Sequence, residues 1–124
     1  MKTILKISIV FIFILLFSCK KEETYTGSVI FWYDSSMSDF FVNDGAVSLT
    51  FYVNNQIVGS TATSVYWNSE PNCGQNATIT HEQELGENKS QTYTYKIKDQ
   101  RNHTYVEDII NINADRCLIV KLTD

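Results

Sequence analysis

Leu49, Phe51 and Val53 alternate with Ser48, Thr50 and Tyr52, and the same period of two returns in Tyr93, Tyr95 and Ile97 against Thr92, Thr94 and Lys96. A strand sends successive side chains to opposite faces, so each run buries one face and leaves the other to water. In the body of the chain no run of ten or more residues carries a convincing helical period. Parallel βα units, which need a crossover helix, are therefore excluded. Further β-prone runs fall at 25–33, 56–58, 61–66, 77–82, 104–112 and 117–122. Asn54-Asn55 suits a two-residue hairpin because Asn tolerates positive φ, and Asp44-Gly45 suits a tight turn. Asp34-Ser35-Ser36 reads as a turn or loop, and residues 85–89 as a loop. Seven or eight short strands at regular spacing point to an antiparallel sandwich or small barrel. The expected fold is all-β: an antiparallel β-sandwich of about seven strands, Ig-like or Greek-key.

The N-terminus follows another logic. Lys2 and Lys6 precede a stretch from residue 7 to 17 that is apolar except for Ser8. Such a run is short for a bilayer span, which takes about 20 residues, and a positive flank before it is the pattern of a secretory signal. A buried N-terminal helix is the alternative, but it should show polar residues at 3.6 spacing. Leu16-Phe17-Ser18-Cys19 resembles the bacterial lipobox, with Phe17 bulkier than the usual occupant of its position. That resemblance implies a cleaved signal over 1–18 and a lipidated Cys19 at the new N-terminus. Each buried methylene contributes about 0.8 kcal/mol, so two or three acyl chains hold far more firmly than one. Residues 19–25 then form a charged tether, and residues 26–124 the β-sandwich domain.

Lys20-Lys21-Glu22-Glu23 follows directly. Lys21, Glu22 and Glu23 resemble the surface-export signal of Bacteroidetes lipoproteins, a lysine and two acidic residues behind the cysteine. The plainer alternative is a solvated spacer. The expected location is the outer membrane, lipid-anchored and facing the cell exterior, with the membrane as a partner through the acyl chains.

Once Cys19 is acylated, Cys73 and Cys117 remain, 44 positions apart. An even pair in an exported chain is most simply a disulfide; two unrelated buried thiols are the alternative. A redox role of the Cys-x-x-Cys kind wants cysteines close in sequence, and these are not. The body also resembles small lipoproteins of Bacteroidetes with one β-rich domain. Thr26, Gly27, Val29, Phe31 and Trp32 match their opening strand, Ser69, Pro71 and Cys73 a mid-chain stretch, and Cys117 and Leu118 a closing strand. The resemblance spans most of residues 26–122 and implies fold and location, but no function.

Chemistry is sparse. The formal net charge is −4, and removing Lys2 and Lys6 leaves eight basic residues against fourteen acidic ones. Such a domain is repelled by phosphate backbones, so no nucleic-acid partner is expected. His81 and His103 are the only histidines and share no ligand spacing with Cys, Asp or Glu; they read as surface residues. Asp34, Asp39 and Asp44 recur every five residues, too sparse for a calcium loop. Neither a Gly-x-Ser-x-Gly elbow nor a glycine-rich phosphate loop is present. The expectations are no catalytic residues, no metal, no cofactor and no enzyme activity.

Thirteen aromatics follow residue 18, and the main reading places them in the core. Some of Trp32, Tyr33, Tyr52, Tyr66 and Trp67 are candidates for an exposed stacking platform, with Tyr52, Tyr66 and Trp67 preferred. The leading functional expectation is a non-enzymatic binding module for an unknown protein or glycan at the cell surface. The runner-up is a structural or inhibitory envelope protein without a ligand pocket.

Overall fold

β1 (Tyr25–Trp32) is the spine of the smaller of two sheets, pairing antiparallel with β4 (Ile79–Gly86) on one side and parallel with β7 (Cys117–Lys121) on the other. The structure is a computed structural model and describes residues 22–75 and 79–124. The larger sheet has the order β3-β2-β5-β6, formed by β2 (Ser48–Val53), β3 (Gln56–Ala62), β5 (Ser90–Asp99) and β6 (Thr104–Asn113). The two sheets stack as a seven-stranded β-sandwich. Every pairing is antiparallel except β1 with β7. That parallel pair needs no crossover helix, because the whole intervening chain returns β7 to the same end as β1. The order differs from that of an immunoglobulin constant domain, where the first two strands are neighbours.

Alternation does what the residue pattern requires. Val29 and Phe31 of β1, Leu49, Phe51 and Val53 of β2, and Tyr93, Tyr95 and Ile97 of β5 all point between the sheets and are buried. The Phe31 ring lies 5.5 Å from Phe51 and 5.4 Å from Tyr95, joining both layers. Each large apolar side chain buried this way contributes roughly 1.5–3 kcal/mol. Asn54 and Asn55 take φ of 52° and 62°, the left-handed pair that a two-residue hairpin demands.

Three details depart from the residue pattern. First, Asp34-Ser35-Ser36 is not a free turn: it begins a helix, α1 (Ser35–Asn43). The Asp34 carboxylate caps it by accepting from Met37 N at 3.1 Å, and Met37 and Phe41, four apart, bury its inner side. Asp44-Gly45 is then the helix exit, with Gly45 at φ 90°, rather than a hairpin turn. Second, β3 ends at Ala62: Thr63 and Ser64 turn the chain, and Val65 and Tyr66 are not more strand. Third, Leu85 and Gly86 continue β4, and Leu85 is a core residue rather than part of a loop.

Candidate functional site

Strand direction gives the sandwich two unlike poles. At one lie Tyr25, the Asn54-Asn55 turn and the loops 86–90 and 113–117, tied by Asp115 N to Thr26 O and by Ala114 N to Lys89 O. The N-terminal segment enters here. At the other pole lie α1, the start of β2, the end of β3 and the β5–β6 turn. Ten-residue strands at about 3.3 Å per residue set the poles roughly 30 Å apart.

The far pole is held together by a polar latch. Asp99 ends β5, and its buried carboxylate accepts from the backbone N–H groups of Arg101 at 2.8 Å and His103 at 3.0 Å and from Arg101 Nε at 2.8 Å. Arg101 reaches on to Asp44 Oδ2 at 3.2 Å, and the Tyr105 hydroxyl donates to the same oxygen at 2.6 Å. The latch therefore ties the exit of α1 to the β5–β6 turn. Burial pushes the Asp99 carboxyl up, but Arg101 and the two N–H donors outweigh it, so it titrates below the usual carboxylate range. Burial, with Asp44 beside it, pushes the Tyr105 hydroxyl up to about 12, keeping it a donor. Both carboxylates are occupied by donors from their own chain, so the chemistry this arrangement performs is to clamp a turn. A second anchor lies nearby, where Ser38 Oγ donates to Thr63 O at 2.5 Å and Thr63 Oγ1 to Ala46 O at 2.9 Å.

On this clamped frame sit side chains that the core does not use. Phe40 of α1 is 43 % exposed, with its ring 6.2 Å from Tyr105. Val42 on the other flank of α1, Val47 before β2, and Val65 and Tyr66 after β3 are exposed as well. Five of the seven large apolar residues exposed among the described residues thus gather at one pole. No family model, curated protein or solved structure matches this chain. The site is accordingly read from its own geometry.

The preferred aromatic trio does not form one platform. Tyr52 lies on the outer face of the larger sheet near the Asn54 turn, with Lys98 Nζ 5.8 Å above its ring. Tyr66 is at the opposite pole. Trp67 is half-buried, its ring edge-on to Tyr33 at 5.7 Å and its backbone N–H donating to Tyr33 O. Trp32 and Tyr33 are buried outright. The reason is directional: Tyr52 alternates outward from a strand, whereas Tyr66 and Trp67 leave the end of one.

Cys73 and Cys117 are bridged, with Cα atoms 6.3 Å apart. Cys19 and Lys21 lie outside the described residues, while Glu22 and Glu23 are exposed, Glu23 accepting from the Tyr25 hydroxyl at 2.8 Å. Asp34, Asp39 and Asp44 serve as cap, exposed helix residue and latch. Among the described residues no three His, Cys, Asp or Glu side chains are placed to hold a metal. An open cleft of about 540 Å³ at the N-terminal pole is lined largely by polar groups, including Lys89, Asp115 and Arg116. That is unlike the apolar wall of a small-molecule site.

Residue reading did not single out Phe40, Val42, Val47 or Val65. One usable signal was the Asp34 cap ahead of Met37 and Phe41, since a helix there forces Phe40 and Val42 outward.

Proposed function

We propose that the chain is a non-enzymatic lipoprotein of the outer membrane, anchored through acyl chains on Cys19 and facing the cell exterior, whose domain binds a partner protein at its far pole. Lys21, Glu22 and Glu23 direct it outward in this reading. The observation that supports it is the gathering of Phe40, Val42, Val47, Val65 and Tyr66 at the pole opposite the chain's point of entry. An anchored module meets its partners at the end that points away from the membrane, and an exposed apolar cluster is what a protein interface uses. Aliphatic side chains dominate the cluster, which favours a protein over a glycan, since sugar rings want flat aromatic faces.

The second reading, a structural or inhibitory envelope protein without a ligand pocket, draws on the burial of most aromatics between the sheets. Pull-down from intact cells with the mature lipoprotein separates the two, set beside the Phe40→Ser/Tyr66→Ser double variant and a glycan array. Binding at the pole requires a partner captured by the wild type and lost by the double variant at unchanged melting temperature. Equal capture by both would remove the pole from consideration, and a glycan hit would replace the protein partner.

A further inference from the structure

Ile30 and Trp32 present a puzzle of position. Val29 and Phe31 point into the core, so by alternation Ile30 and Trp32 point away from it, toward the outer face of the three-stranded sheet. Both are absent from the core cluster, yet Ile30 is 0 % and Trp32 7 % exposed. An outward face this dry must be covered. Its neighbours on β7 are Ile119, register partner of Ile30, and Cys117, register partner of Ser28 on the same face. Lys121 Nζ stands 5.1 Å over the Trp32 ring. Cys117 is the residue bridged to Cys73. Among the described residues, the segment that the bridge brings to this face is 68–75.

We propose that residues 68–75 are a redox-latched strap: reduction of the Cys73–Cys117 bridge lifts the segment off the three-stranded sheet and uncovers a shelf of Ile30, Trp32 and Ile119, while the sandwich stays folded. Four observations carry this. The strap contains no strand or helix, and of its eight residues only Pro71 is buried. Ordering eight residues costs chain entropy that one buried proline and the hydrogen bonds between Asn72 and Gln75 do little to repay, so the bridge is the covalent fastening of the segment. The Trp32 indole N–H is buried with no hydrogen-bond partner, so it does not fasten the strap to the shelf. Cys73 is exposed and Cys117 only half-buried, so the bridge is open to a reductant, and exposed disulfides are the labile, regulatory kind.

The chemistry balances with a dithiol reductant. One thiolate of the dithiol attacks the exposed Cys73 Sγ, and Cys117 leaves as a thiolate that takes up a proton. The second thiol, deprotonated, attacks the mixed disulfide and releases Cys73, which is protonated in turn. Two electrons pass to the protein, and the dithiol leaves as its cyclic disulfide. The core strands lie on the other side of the small sheet and contain neither cysteine, so they keep their packing.

The full chain carrying Trp67→Phe, in which Trp32 is the sole tryptophan, tests the strap. It is compared oxidised and after dithiothreitol and alkylation, without denaturant. The proposal expects acrylamide quenching of Trp32 to rise several-fold, with amide exchange over 68–75 speeding up far more than in β2 and β5, where it follows only the fall in global stability. The Cys73→Ser/Cys117→Ser variant should behave as the reduced form. Any of three results overturns it: a bridge that yields only in denaturant, quenching that does not change on reduction, or exchange in β2 and β5 that speeds up as much as over 68–75, which makes the bridge a staple of the whole fold.

Discussion

Gly27 has no side chain because β1 passes beneath the end of β6 there. A Cβ at this position would run into the Asn113 carbonyl oxygen and the Ile112 side chain. Backbone does not step aside as a flexible side chain does, so Gly27→Ala should cost about 1–3 kcal/mol, read as a lowered midpoint in thermal unfolding. A Cβ at Gly59 would meet the Ile79 side chain at 3.3 Å, a neighbour that can yield more readily. Asp99 is the other residue whose environment sets a measurable property. Its carboxyl is depressed in the folded state, as is that of Asp44, where the Tyr105 hydrogen bond is the leading cause. A depressed carboxylate contributes stability that is present above its unfolded pKa, about 3.9, and is lost as pH falls through the folded value. The melting temperature should therefore drop below about pH 4, and Asp99→Asn should lower the neutral-pH value and flatten that drop. An unchanged acid limb in Asp99→Asn would show that other carboxylates carry it.

At the scale of elements, α1 and the strap explain most of what the alternation pattern does not. α1 has nine residues, fewer than three turns, and an isolated helix of that length is marginal in water. It exists because Phe41 packs edge-on to Tyr33 at 5.4 Å and to Tyr105 at 5.0 Å, the second of them distant in sequence. A three-residue run such as Phe40-Phe41-Val42 looks β-prone until those partners are in place. The Cys73–Cys117 bridge was legible once Cys19 was set aside as the lipobox cysteine; that Cys117 lies in register with Ser28, on the side of the small sheet that faces away from the core, was not. Cys117→Ser should destabilise the domain by about 2–4 kcal/mol through the freed unfolded chain. Each kcal/mol moves the midpoint of a domain this size by roughly 4–8 °C, so calorimetry on oxidised wild type and variant resolves it.

For the whole molecule, the two poles matter more than any one residue. The proposed tether runs from Cys19 to Tyr25, and a chain that short reaches at most about 20 Å when fully extended. On the proposed anchoring, such a tether keeps the N-terminal pole near the membrane and turns the pole with Phe40 and Tyr66 outward. Cys19→Ala should release or mislocalise the protein and abolish palmitate labelling, measured by fractionation of cells grown with labelled fatty acid. Unchanged labelling and membrane association in the variant would end the lipoprotein reading.

Local pattern by itself determined the strand character, the Asn54-Asn55 hairpin and the inward faces of β2 and β5, because side-chain alternation and left-handed Asn are properties of a few adjacent residues. The bridge was named the same way once the lipobox resemblance set Cys19 aside, since only Cys73 and Cys117 then remain to pair. Tertiary structure decided the parallel pairing of β7 with β1, the burial of Ile30 and Trp32 on an outward face, the separation of Tyr52 from Tyr66, and the apolar cluster at one pole. Each of these depends on which distant segments lie side by side, and a chain acquires such neighbours only when its sheets close on one another.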